Sequence, residues 1–131
     1  MIADDASISE VILSGGDPLL LGDAQLARLI DDICAIAHVR RIRLHSRLPI
    51  VLPQRVTRAL LESLAASRCS VTVVVHCNHA QELDEDTARA FACLREVGAH
   101  LLNQTVLLHG VNNEADILCE LSETLFEQGT L

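Results

Sequence analysis

An α/β fold of parallel β/α units is what this sequence predicts, on three observations. Apolar runs at about 10–14, 41–45, 71–76 and 100–107 recur with a period of about thirty residues. Each run is followed by a polar cluster, and each cluster leads into a segment with helical apolar spacing. Strand–helix repeats of this kind build a parallel sheet with right-handed crossovers.

The first strand, Glu10-Val11-Ile12-Leu13, breaks into Ser14-Gly15-Gly16-Asp17-Pro18. Adjacent glycines let a backbone turn tightly and lie against a ligand, and Pro18 stiffens the exit. The first helix carries Leu26, Leu29, Ile30, Ile33 and Ala37 on one face behind Asp23, its expected N-cap. The second strand ends in His45-Ser46-Arg47, and a stiff apolar loop, Leu48-Pro49-Ile50-Val51-Leu52-Pro53, precedes a helix with Val56, Leu60 and Leu64. Val71-Thr72-Val73-Val74-Val75 reads as apolar on both faces, the mark of a parallel strand inside covering layers. The third helix opens at Asp84-Glu85-Asp86, carries Ala88, Phe91, Leu94 and Val97, and stops at Gly98. The fourth is expected to start at Asn113 and runs through Ile117, Leu118, Leu121 and Leu125 to Gly129.

Four parallel strands could form a small doubly wound domain or part of a (β/α) barrel, and the ends of the chain favour the barrel. Residues 1–9 read as the tail of a preceding helix, and Gly129-Thr130-Leu131 as a helix cap leading into a further strand. No linker or low-complexity tract divides the chain, so residues 1–131 are expected to be one fragment of a barrel domain. Its first and last strands would expose apolar edges, which favours self-association.

Composition removes several function classes. Half of the 131 residues are apolar, enough to bury a core. A net charge of −8, with two Phe and no Tyr or Trp, is unsuited to binding nucleic acid. No apolar stretch approaches the ~20 residues that span a bilayer, and no signal peptide is recognisable at Met1, so a cytoplasmic protein is expected. All ten basic residues are arginine. Without lysine this chain can form no Schiff base and no Walker-type phosphate contact. Five irregularly spaced cysteines fit free thiols in a reducing compartment.

Parallel α/β folds keep their sites at the carboxyl ends of strands, and all four ends are polar here. Ser14, Gly15 and Gly16 offer a backbone cradle, and Asp17 can accept from an amine. Arg47 could clamp a carboxylate bidentately or pair with an acid such as Asp17. His76-Cys77-Asn78-His79 has metal-capable groups but lacks the second pair that a closed zinc site needs; His76 and Asn78 are expected to bond a polar ligand or each other. Asn103-Gln104 are amides that need partners, either a ligand or each other as a self-satisfied pair in the barrel. No nucleophile stands beside a base and no carboxylate pair has fixed spacing, so these residues read as a binding site for an amino-acid-like ligand without catalytic groups of its own.

The ordered set Ser14-Gly15-Gly16-Asp17-Pro18-Leu19, His45-Ser46-Arg47-Leu48-Pro49-Ile50-Val51, His76-Cys77-Asn78-His79 and Leu102-Asn103-Gln104-Thr105-Val106-Leu107-Leu108 closely resembles the lysine 2,3-aminomutase family of radical S-adenosylmethionine enzymes. The second motif looks most like the EpmB branch, whose β-lysine modifies elongation factor P. The resemblance implies a partial barrel in which a [4Fe–4S] cluster cleaves S-adenosylmethionine and the resulting radical acts on lysine held by pyridoxal phosphate. It places Ser14, Gly15, Gly16 and Asp17 at the methionyl part of S-adenosylmethionine, with Arg47 and His76 on its other side. It places Gln104 near pyridoxal phosphate or the sulfonium ligand, and assigns no contact to Asn78 or His79. The cluster motif CxxxCxxC and the pyridoxal phosphate lysine of such enzymes are missing from this chain. His109 also stands where relatives carry Arg. The resemblance thus implies a central fragment, inactive by itself, with a non-catalytic α/β binding module as the alternative reading.

Overall fold

The computed structural model describes residues 1–131. Four strands, β1 (Glu10–Leu13), β2 (Arg41–Ser46), β3 (Ser70–Val75) and β4 (His100–Asn103), form one all-parallel sheet in the order β1-β2-β3-β4. The helices between them are α1 (Asp23–Cys34), the short α2 (Leu48–Val51), α3 (Arg58–Ala66) and α4 (Glu85–Glu96), and α5 (Ala115–Glu127) follows β4. Each crossover steps one strand in the same direction. A doubly wound sheet reverses direction at a switch point; this sheet does not, so it is an arc of a (β/α) barrel.

The core lies on one face of the arc. Ile42, Leu44, Val71, Val73, Val75 and Leu101 pack with Leu26, Ile30, Leu60, Phe91, Leu94 and Leu121 in a single cluster. These strand residues alternate along their strands, as a pleated sheet with helices on one side requires. Val74 is buried but outside that cluster, because it points to the opposite, concave face. On β2 the concave positions are Arg41, Arg43 and His45, and Arg43 pairs with Glu10 at 2.8 Å. Register places apolar Ile12 of β1 and Leu102 of β4 on that concave face with Val74, so β2 alone presents only charged and polar side chains there.

Several boundaries differ from the sequence reading for local reasons. Gly22, not Asp23, is the N-cap of α1. The Asp23 carboxylate is used sideways instead, accepting from Thr57 Oγ1 at 2.6 Å and pairing with Arg55 at 2.6 Å. The segment after β2 breaks into α2 and a 3₁₀ turn, Pro53–Arg55, since Pro53 has no N–H and disfavours helical backbone at Leu52. Thr57 then caps α3, accepting from Leu60 N. Residues Ile2–Asp4 form a 3₁₀ turn, not a helix tail. The fourth strand stops at Asn103 because side-chain amides take over its backbone partners: Asn78 Oδ1 accepts from Val106 N at 2.9 Å and Asn112 Oδ1 from Leu108 N at 2.7 Å. Asn113 bonds Gly110 N, so α5 starts at Ala115. Leu131 N donates to Leu101 O and Leu131 O accepts from Asn103 N, the pattern of one parallel bridge beside β4.

Candidate functional site at the carboxyl ends of the strands

The loop after β1 is closed by Asp17. Its Oδ1 accepts from Leu19 N at 3.0 Å, capping the 3₁₀ turn Pro18–Leu20, and its Oδ2 accepts from Arg47 N at 2.8 Å. One carboxylate thus ties the end of β1 to the end of β2. Gly16 has φ of +63°, a conformation that side chains disfavour, so the turn requires glycine there. Gly15 has an ordinary φ, and no atom of this chain would crowd a Cβ at that position. Arg55 supports the loop from behind: its guanidinium donates to Leu19 O at 2.6 Å and Leu21 O at 2.8 Å.

Arg47 follows β2, and its guanidinium pairs with Glu82 at 3.5 Å, not with Asp17. Glu82 is fixed in turn. Its Oε1 accepts from Asn78 N at 2.7 Å and His79 N at 3.0 Å, while His79 caps the turn Ala80–Glu82. A guanidinium has five N–H donors, so Arg47 retains some for a ligand carboxylate. Its side chain is 55% exposed.

The rings of His45 and His76, at the ends of neighbouring strands, meet edge to face with centroids 5.7 Å apart. Burial lowers the pKa of His45, and the nearby His76 and Arg43 lower it further, against a hydrogen bond to the Gln104 side chain. Asn103 is absorbed by structure: it accepts from Cys77 N at 2.8 Å and donates to Cys77 O and Thr105 Oγ1. Asn78 is likewise tied to the loop after β4, its Oδ1 accepting from Val106 N, so of the two expectations for His76 and Asn78, a polar ligand or each other, the mutual bond is not formed.

These ends enclose an open cavity of about 470 Å³ lined by Ser14, Gly16, Asp17, His45, Ser46, Arg47, His76 and Gln104, with no apolar residue. Six of the seven residues picked from the sequence converge here. Gly15 instead lines a neighbouring hollow with Ile12, Leu13, Leu20 and Leu29. A hollow of about 490 Å³ runs beside β4 past Arg95 and His100, out of reach of every predicted residue. Sequence reasoning left His45, Ser46 and Glu82 off the site. The pleat could have found His45, which shares the concave face with Arg43; the His79-to-Glu82 spacing of a capping box was the only hint of Glu82. No three His, Cys, Asp or Glu side chains of the chain converge as a metal-binding group.

A one-directional parallel arc with a polar cavity at the carboxyl ends of its strands defines a partial (β/α) barrel with its candidate site where such barrels keep it. The chain matches no protein-family profile. Individual relatives place it more narrowly. It is 48% identical over 130 residues to the L-lysine 2,3-aminomutase of Escherichia coli (strain K12), a match covering 99% of this chain and 38% of that protein. The L-lysine 2,3-aminomutase of Haemophilus influenzae shows the same identity and coverage, and that of Clostridium subterminale is 40% identical over 124 residues. The chain is therefore a homologue of the lysine 2,3-aminomutases along nearly all of its length, and it spans 38% of the length of the first two.

Proposed function

We propose that this chain contributes four β/α units of a radical S-adenosylmethionine lysine 2,3-aminomutase, an isomerase converting α-lysine to β-lysine, and that its strand-end cavity holds part of S-adenosylmethionine. One observation carries the reading: Ser14, Gly16, Asp17, Arg47, His76 and Gln104, taken from four separate strand ends, line one polar cavity in a homologue of named aminomutases. Gly15 completes the backbone cradle as part of the same turn. The lining fits a ligand bearing a carboxylate, an amine and a positive charge, with Arg47 as the carboxylate partner. Bound there, S-adenosylmethionine would supply the radical that starts the isomerisation; these residues bind and orient it.

The other two groups of such enzymes do not fit this stretch of chain. No cysteines stand at CxxxCxxC spacing; Cys34 and Cys69 are buried neighbours, Cys77 is buried beside His79, Cys93 is half-buried and Cys119 is exposed, and no third ligand joins any of them, so they do not form a [4Fe–4S] ligand set. Covalent attachment of pyridoxal phosphate needs a lysine, and there is none. We assign both groups to residues outside these 131, and we read the isolated stretch as a binding module without turnover. Within the family, His45-Ser46-Arg47-Leu48-Pro49-Ile50-Val51 supports the branch that makes β-lysine for elongation factor P in the cytoplasm. No helix is long and apolar enough to cross a membrane.

A chimera tests this reading. The matching segment of the Escherichia coli L-lysine 2,3-aminomutase is replaced by this chain, and β-lysine and 5′-deoxyadenosine are assayed anaerobically. Turnover of lysine with an intact cluster absorbance is expected. A folded chimera that carries the cluster but cleaves no S-adenosylmethionine contradicts the assignment.

A further inference from the structure

We propose that His45 is a ligand-contacting residue of the cavity that is kept neutral to admit a cationic ligand, and that a proton on His45 expels that ligand. This rests on the S-adenosylmethionine reading above and adds to it a residue and a charge rule.

His45 lines the cavity on the concave face of β2, its ring edge to face with that of His76 and in the same lining as the Gln104 side chain. The groups around it come from all four strands. From the β1 side there are Ser14 and Asp17, and both oxygens of Asp17 already accept backbone N–H groups. From β2 there are Arg43, paired with Glu10 at 2.8 Å, and Arg47, paired with Glu82 at 3.5 Å. From β3 there is His76, and from β4 the uncharged Gln104. Every nearby carboxylate is thus engaged. A proton on His45 would add charge beside Arg43 and His76 with no free acid to balance it, and burial acts in the same direction.

The consequence is chemical selectivity. A neutral His45 ring accepts a sulfonium group beside it, whereas an imidazolium there repels it. A thioether of the same shape carries no such charge and should be indifferent to the proton. S-adenosylmethionine and S-adenosylhomocysteine differ in this way.

The test is calorimetric titration of the 131-residue chain with both compounds between about pH 7.5 and about pH 5, together with NMR titration of the histidine Cε1–H resonances. Affinity for S-adenosylmethionine should fall toward acid by up to about tenfold per pH unit, while that for S-adenosylhomocysteine changes by less than about threefold over the range. His45→Gln should bind S-adenosylmethionine about tenfold more weakly at about pH 7.5 and lose the acid limb. His76→Gln, which removes the neighbouring charge, should move that limb to higher pH. NMR should show His45 titrating below the ordinary histidine range. An acid limb unchanged in His45→Gln, or His45 titrating above the ordinary histidine range, overturns the role of His45 and leaves the ligand reading standing. No binding of S-adenosylmethionine at any pH by a folded chain overturns the ligand reading and this proposal with it.

Discussion

Asp17 and Glu82 brace the cavity: Asp17 joins the ends of β1 and β2 through the Leu19 and Arg47 N–H groups, and Glu82 accepts from the adjacent Asn78 and His79 N–H groups while pairing with Arg47. Asp17→Ala leaves the Leu19 and Arg47 amides without their acceptor, and a loss of about 1–3 kcal/mol is expected in urea unfolding. Glu82→Gln keeps an oxygen for Asn78 and His79 and removes the charge opposite Arg47. Its stability should change by less than about 1 kcal/mol, because the Arg47 partner of that ion pair is more than half exposed and the pair is long, at 3.5 Å. Titration adds two signs. Burial pushes the Cys69 and Cys77 thiols up to about 11, so their neutral forms favour the fold. The stability they contribute is complete below the ordinary thiol range and is lost as pH rises through about 11. His45 has the opposite sense: its lowered pKa gives stability present above the ordinary histidine range and lost as pH falls through its folded value. Thermal unfolding across pH reads both limbs. Alkylation with iodoacetamide under native conditions should label exposed Cys119 first, then Cys93, and reach Cys34, Cys69 and Cys77 only after unfolding.

At the scale of elements, stability comes from helices laid on one face of the arc and capped from the side. Thr57→Ala should cost about 1–2 kcal/mol, since it removes both the α3 cap and the bond to Asp23 that couples α1 to α3. The loss is measurable by chemical denaturation, and an unchanged midpoint would deny that coupling. Strand order and helix faces were legible because a parallel crossover writes itself as a long, regular alternation of apolar patterns. Helix starts were less so: Asp23 looks like a cap but bonds across to Arg55 and Thr57, partners that are 30 or more positions away. The fourth strand looked longer for the same reason, as Asn78 and Asn112 compete for its backbone with no local sign of it. The site was legible as strand-end clusters. Which member of a strand end faces the cavity depends on pleat and register, and this is why His45 was passed over.

As a whole molecule, the chain is an arc whose concave face is only partly filled. Ile12 is 51% exposed there, and outside the sheet Leu20, Val106 and Leu107 in loops and Phe126 on α5 are at least as exposed. The outer edge of β1 pairs with no strand. Such edges and faces favour association, so sedimentation analysis should show a weight-average mass rising with concentration; a monomer at every concentration would contradict that expectation. The central claim is that four strand ends make one binding site for S-adenosylmethionine. The most direct measurement is ¹⁵N–¹H chemical-shift mapping of the isotopically labelled chain titrated with that compound. The account predicts saturable shifts confined to the turn at Ser14–Asp17, the His45–Arg47 end, His76 and Gln104. Shifts concentrated along the hollow beside β4, or none at all in a folded chain, would contradict it.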